Sequence, residues 1–445
     1  MPIISSLGAL AYPKASFISF GTGRGYMFAA SGASQTFNRN GNNGDTFDTN
    51  FSSVGADSSG NMYVQSCRAP TNSLLSNGTA YPIQVDDTDA SPQFDFSKPV
   101  QGFGAITTTG NDTFYPQDAY VSGSGSGAIF NVYADKTAAG VGITGLDFGS
   151  SSFLAGQRLA YNAGKANLTD MMVLAFQKNT TTAITEMIVY GYNGADTGRI
   201  TGPSFNFNAR ECVTCTNDSG VTIMACKNDY DNKYYLGRSS TTSWIFQTTD
   251  QIFDIDCDDD YVYVSHSNTG AGSSVSKVDI VTGSVISSFT YEHYGQGRYI
   301  KLADDGYLYL SNNGLSKLDT SLNMQWSKEV VFRYVPSIGT NVYAGRNGLT
   351  VRDNFAYMLG SNSTYGLFGV KIPSDGTLVS PGAWAFGTGQ AYNEFNTNTP
   401  VRTTGSFTLS TPTVGVSIST ATVTTTTKTA QTVSSTGVVT ANQAI

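Results

Sequence analysis

The sequence predicts an all-β protein, on three observations: a composition weighted toward glycine and aromatics, strict two-residue alternation in its apolar runs, and a unit recurring every 46 to 48 residues. Of 445 residues, 48 are Gly, 25 are Tyr and 25 are Phe, while charged residues make only 13%. Disordered chains are poor in aromatics and usually rich in charge. Coiled coils and helical bundles need Ala, Leu, Glu, Lys and Arg at helical spacing, whereas Gly, Ser, Thr, Asn and Tyr dominate here and favour strands and turns.

The recurring unit is clearest in the second half. Residues 254–267 (DIDCDDDYVYVSHS) read as an apolar approach, an acidic turn and an alternating strand, and 276–289 (SKVDIVTGSVISSF) as strand, turn and strand. The pair returns at 299–313 and 315–330, and more loosely at 348–362 and 367–381. Tyr261, Tyr263 and Ser265 share one face and Val262 and Val264 the other; Leu308 and Leu310 alternate likewise with Tyr307 and Tyr309. Thr282-Gly283, Asp305-Gly306 and Asp375-Gly376 supply the positive φ that tight hairpins require. The unit centres fall near 262, 308 and 356, and working backwards near 223, 173 and 63, with room for another between the last two. Four short strands per unit of this length mark a β-propeller blade, and the count comes to about seven, with six to eight fitting the length.

The units KVDIVTGSVISSF and KLDTSLNMQWSKE resemble blades of quinoprotein-type and related Trp-containing propeller repeats, in which a strand ends in Asp, turns, and returns to an aromatic. That resemblance covers residues 210–385; the N-terminal half is assigned by extending the period. For the first 200 residues a separate β-sandwich is the alternative, since the glycine clusters GSGSGAIF and GVGITGLDFGSSSF permit it.

The chain accordingly divides into an N-terminal segment (1–24), a propeller (25–402) and a Thr/Ser-rich strand-forming arm or tail (403–445). GYMFAAS, residues 25–31, is the candidate strand for closing the ring, which would leave few exposed edges. In the last 43 residues 21 are Ser or Thr and only Lys428 is charged, so this segment cannot form its own core. It is expected either to be a disordered tail or to add strands to a neighbouring subunit or short fibre.

No catalytic, cofactor-binding or metal-binding residue nominates itself. The two histidines, His266 and His293, are expected on the surface or in loops, with no G-x-S-x-G context to suggest a hydrolytic triad. Cys212 and Cys215 stand in C-x-x-C spacing with Cys226 and Cys257 further on, and Cys67 far upstream. Positions three apart on a strand face opposite ways, so buried thiols are expected in preference to zinc. Five cysteines, an odd count, also argue against a disulfide framework. The acids Asp254, Asp256, Asp258, Asp259 and Asp260 fail the EF-hand pattern, because Asp259 replaces the turn glycine and Ser265 the bidentate Glu. LADDGYLYL carries its acids in the same place, which makes them hairpin-turn residues. The quinoprotein resemblance would imply calcium, a carboxylate base and a tryptophan against the cofactor. Trp244, Trp326 and Trp384 instead sit near turns in different units and read as packing residues.

A formal charge of −8 and a pI near 4.8 speak against nucleic acid as a partner, and no apolar run approaches the length of a membrane-spanning helix. The opening MPIISSLGALAYPKASF has no charged n-region, with Lys14 after the apolar stretch, so no secretory signal is expected. That opening, the Gly/Ser/Thr/Asn-rich units and the Thr-rich end resemble virion structural proteins of tailed bacteriophages, notably marine phages. The resemblance implies a non-enzymatic tail, nozzle, fibre or surface component. Such a protein would be made in the host cytoplasm and located in the virion, with other virion proteins and copies of itself as partners. A glycan-binding host-recognition propeller is the alternative, and a propeller enzyme, a lyase or quinoprotein, the second.

Overall fold

A computed structural model describes residues 213–228, 231–239, 242–267, 274–291, 299–311, 314–328, 348–352, 354–358, 371–377 and 400–418 with their side chains, and elsewhere the backbone of further strands. All the described regular structure is β, in antiparallel sheets. Three sheets in the N-terminal half span 52–94, 117–147 and 160–201; the remaining four span 212–248, 251–291, 299–335 and 348–373. The 212–248 sheet is a four-stranded meander of Cys212–Thr216, Thr222–Asn228, Lys233–Ser239 and Trp244–Thr248. Gln251–Cys257, Tyr261–Ser267, Ser273–Asp279 and Val285–Tyr291 make the next, matching the hairpin pair read at 254–289. Tyr299–Leu302, Leu308–Ser311, Gly314–Leu318 and Met324–Val335 repeat it.

The last sheet contributes Gly348–Arg352, Phe355–Asn362 and Gly366–Pro373, and takes its fourth strand from the other end of the chain: Tyr26–Ala30 lies antiparallel to Gly366–Pro373, with Phe28 opposite Gly369. Residues 1–24 lie outside the described residues. The leading strands of successive sheets lie side by side, from Ala160–Ala163 through Cys212–Thr216, Gln251–Cys257, Tyr299–Leu302 and Gly348–Arg352 to Ser52–Ala56.

Alternation decides what fills the space between sheets. Val262 and Val264 turn toward the 212–248 sheet and join Ile223, Leu236 and Ile255 in one core. Tyr263 and Val275 turn the other way and meet Ile300, Leu308, Leu310 and Leu318. All these side chains are buried, and each large one stabilises the fold by about 1.5–3 kcal/mol.

The turns between third and fourth strands complete these interfaces. Asp279 accepts hydrogen bonds from Val281 N (3.0 Å) and from Thr282 N (2.7 Å) and Oγ1 (2.8 Å), and the turn closes on Gly283 at φ 71°. Trp244 Nε1 donates to Ile280 O across the interface at 3.1 Å. Gly376, at φ 74°, lies in the turn that follows the third strand of the last sheet, where Trp326 Nε1 donates to Ser374 O at 3.2 Å. The 319–323 turn has no glycine: Leu322 adopts φ 64° and is fully buried beside Tyr291 and Leu318. Where the preceding sheet offers no indole, a leucine side chain fills the gap.

The Thr/Ser-rich segment finds its pairing edges within its own chain. Just ahead of it Gly389–Thr397 pairs with Met324–Val335; the segment itself, entered at Arg402, pairs Arg402–Thr404 with Val285–Tyr291, Ser410 with Gln247, and Ser417–Ser419 with Asp196–Thr201. Thr424–Thr427 then pairs with Gly142–Asp147, and Thr440–Ala444 with Tyr26–Ala30. Through Thr427 the segment thus runs along the outer edges as a strap, visiting the sheets against chain order. At these strands the segment pairs with edges of its own chain.

Its sequence suits the position. Val414, Val416 and Ile418 pack on the core while the residues between them are exposed. Phe407, 6% exposed, is the large apolar anchor. Arg402 bonds Asn323 Oδ1 and lies 3.4 Å over the Phe289 ring, and Lys233 Nζ donates to Thr413 Oγ1 at 2.9 Å.

Candidate functional site

A buried group of ionisable side chains lies where three leading strands meet. The Tyr299–Leu302 strand pairs on one side only, with Leu308–Ser311, and leaves Ile300 N and Leu302 N facing the Gln251–Cys257 strand. Asp254 and Asp256, two apart and therefore on one face, answer these two donors: Ile300 N donates to Asp254 Oδ2 at 3.1 Å and Leu302 N to Asp256 Oδ2 at 2.7 Å. Asp256 Oδ1 also accepts from Cys257 N at 2.9 Å. Both acids are buried, at 5% and 2% exposure.

Lys301 Nζ meets Asp254 Oδ2 at 3.0 Å. Burial works against its charge, but the attraction of Asp254 and Asp256 outweighs burial and holds the ammonium above its ordinary pKa. Beside this pair, the thiols of Cys215 and Cys257 and a carboxylate oxygen of Asp256 lie within 4.8 Å of one another, all buried. The acidic run expected wholly as turn residues therefore divides. Asp254 and Asp256 belong to this interior group. Asp258 accepts from Asp260 N and Tyr261 N in the turn. The exposed Asp259 accepts from Ser219 N and Oγ.

Asp258 also begins a repeated clamp. Tyr263 OH donates to Asp258 Oδ2 at 2.8 Å, Tyr309 OH to Asp305 Oδ2 at 2.8 Å, and Tyr235 OH to Asp231 Oδ2 at 2.5 Å. Burial, then the adjoining carboxylate, raises all three phenol pKa values. A lysine on the neighbouring strand covers the paired aromatics: Lys277 lies 3.6 Å over Tyr261, Lys317 4.1 Å over Tyr307 and Lys371 4.2 Å over Phe355. Lys277 and Lys317 each donate to a carbonyl of the next sheet, Thr320 O and Ser374 O, at 3.1 Å.

His266, expected at the surface, is fully buried. It continues the Val262, Val264 face, and alternation alone could have placed it there. Its Nε2 lies 2.7 Å from Ser276 Oγ, which donates to Ser288 Oγ at 2.9 Å, so the imidazole Nε2–H is the donor to Ser276. Phe407 of the strap stacks on the ring at 4.4 Å, and Asp250 Oδ2 stands 3.9 Å from Nδ1. Burial pushes the His266 pKa down to about 3, so the ring is neutral. Asp, His and Ser do meet here, but the serine is sealed inside a packed sheet interface, and the arrangement is a buried polar link. His293 and the side chains of Cys67, Cys212 and Trp384 lie outside the described residues. Trp244 and Trp326 pack at turns as expected.

No helix among the described residues is long and apolar enough to cross a membrane. No protein-family model matches the chain, and no curated protein matches it. Several solved structures share similarity with it. One is a puromycin hydrolase mutant, 11% identical, with a TM-score of 0.44 over 72% of this chain and 51% of that chain. This chain spans about half the length of that hydrolase. Others are the Dos1 propeller, 10% identical with a TM-score of 0.37 over 77% of this chain and 94% of that one, and the polysaccharide lyase Uly1, 8% identical with a TM-score of 0.37 over 74% and 78%.

Proposed function

We propose that the protein is a non-enzymatic structural component of a virion of the tailed-bacteriophage kind, built on a propeller of seven four-stranded blades. In this reading Tyr26–Ala30 completes the last blade. The strap carries the proposal: a segment bonded in turn to the outer edges of successive sheets makes the ring one mechanical unit. It also occupies backbone edges that would otherwise invite indiscriminate strand addition. The interior polar groups support the same role, since Asp254, Asp256, the Tyr–Asp clamps and His266 each hold one strand to another. Contact with neighbouring virion proteins then falls to the Ser- and Thr-rich outer face of the strap and to exposed turns. A mass-spectrometric inventory of purified particles tests this. The chain should appear in fixed stoichiometry with the other structural proteins; its absence from particles, with the protein accumulating only in the cell lysate, would remove the virion role.

A further inference from the structure

We propose that Cys215, Asp256 and Cys257 bind one zinc-class divalent ion between the leading strands of two neighbouring sheets. Cys215 lies on Cys212–Thr216, while Asp256 and Cys257 lie on Gln251–Cys257, so an ion here would join the two sheets through its own bonds. Zinc–sulfur bonds of about 2.3 Å and zinc–oxygen bonds of about 2.1 Å at tetrahedral angles place ligand atoms roughly 3.5–3.8 Å apart. The three donor atoms already lie within 4.8 Å of one another, so small side-chain adjustments suffice. Two sulfurs and one carboxylate suit a borderline-soft cation and not calcium or magnesium, which want oxygen throughout.

The surroundings match. Leu302 N and Cys257 N donate one hydrogen bond to each oxygen of Asp256, fixing the carboxylate as ligating carboxylates are usually fixed. Two thiolates, one carboxylate and a divalent cation sum to one negative charge, which Lys301 offsets only in part because its ammonium is already paired with Asp254 Oδ2 at 3.0 Å. Binding breaks both S–H bonds and releases the two protons to solvent, while the thiolate lone pairs form the metal bonds. Cys226, equally buried, is not in the group and serves as the internal control. Because the trio is closed to solvent, the ion must enter during folding, and a water carried in with it would complete the four-coordinate shell. The inference does not depend on the virion role.

Cobalt is the probe. The full chain is refolded from denaturant in metal-free, reducing buffer with one equivalent of Co²⁺, and its absorption is followed. The wild type and Cys226→Ser should show thiolate-to-cobalt charge transfer and tetrahedral d–d bands saturating at one ion per chain. Cys215→Ser and Cys257→Ser should lose at least half of the charge-transfer intensity while keeping the wild-type circular dichroism. Excess zinc should raise the thermal midpoint of the wild type by about 3 °C and leave the Cys215→Ser midpoint unmoved. A folded wild type without thiolate bands overturns the proposal, as do bands that survive in the Cys215→Ser/Cys257→Ser double variant. So does a Cys215–Cys257 disulfide found by mass spectrometry in freshly alkylated protein. Should the single variants fail to fold, the wild-type spectrum and its zinc-dependent midpoint still decide.

Discussion

Gly376 meets Trp326 so closely that a Cβ on the glycine would lie 3.0 Å from the indole Cδ2 and Cε2 atoms. Gly376 also sits at φ 74°, so it is held by backbone conformation and by contact at once. Gly376→Ala is expected to cost about 1–2 kcal/mol for the left-handed backbone and about 1–3 kcal/mol more for the clash. Gly220→Ala separates the two terms: that residue has φ 80° but nothing within 4 Å of its added Cβ, so only the backbone cost should appear. Urea unfolding of both variants checks this, and equal losses would show that the indole contact is not tight.

The buried imidazole predicts acid sensitivity well above the range of ordinary carboxylates. His266 has a folded pKa near 3 against an ordinary value of 6.5, so between these values the unfolded chain binds a proton that the folded chain does not. Stability therefore falls as pH drops from about 6.5 toward 3, with a slope approaching 1.4 kcal/mol per pH unit from this residue. Burial raises the Asp250 pKa and so acts in the opposite sense, which makes comparison with a variant necessary. His266→Gln keeps a donor for Ser276 and should flatten the pH dependence of denaturant midpoints in that window.

The Asp254–Lys301 pair should be costly to break and cheap to replace whole. Asp254→Ala strands a mostly buried ammonium and removes the acceptor of Ile300 N, for an expected loss of about 3 kcal/mol. Asp254→Leu with Lys301→Met removes both charges and should lose clearly less. Because Lys301 has a raised pKa, the wild-type contribution holds below its ordinary value of 10.5 and disappears as pH climbs through the folded value. Unfolding of the three proteins at neutral and strongly alkaline pH measures both effects.

Phe407→Ala should loosen the strap before the sheets melt. The ring is 6% exposed and stacks on His266, and truncating a buried phenylalanine costs about 3–5 kcal/mol. Limited proteolysis should then cut within residues 400–418 at denaturant concentrations where wild type resists, while the circular dichroism of the sheets persists. Cleavage at the wild-type rate would mean that the backbone pairs of Arg402–Thr404 and Ser410 suffice without it.

The hairpins of the second half were legible because their causes are local. Each of the turns at Gly283, Gly306 and Gly376, all at positive φ, lies within a few residues of the alternating strand it closes. Leu322 was not legible in that role, since it holds a backbone conformation usual for glycine and is tolerated there because of the interface it fills. His266 could have been read from the Val262, Val264 face had alternation been followed one step further. The grouping of Asp254, Asp256 and Lys301 with Cys215 and Cys257 depends on how neighbouring sheets meet, and no spacing along the chain encodes that. The strap was legible as strand-forming but not as self-pairing: Tyr291 and Arg402 are partners far apart in sequence, and its register is fixed by edges that exist only once the sheets have formed.

The strap's direction also orders events at the ribosome. Residues 402–427 leave the exit tunnel after every sheet they bind has been synthesised, and they reach those sheets in reverse order of manufacture. A nascent chain stalled before residue 400 would leave the 117–147 sheet with three strands and the rims of the 160–201, 212–248 and 251–291 sheets unsealed. The same short segment thereby certifies that translation ran past it.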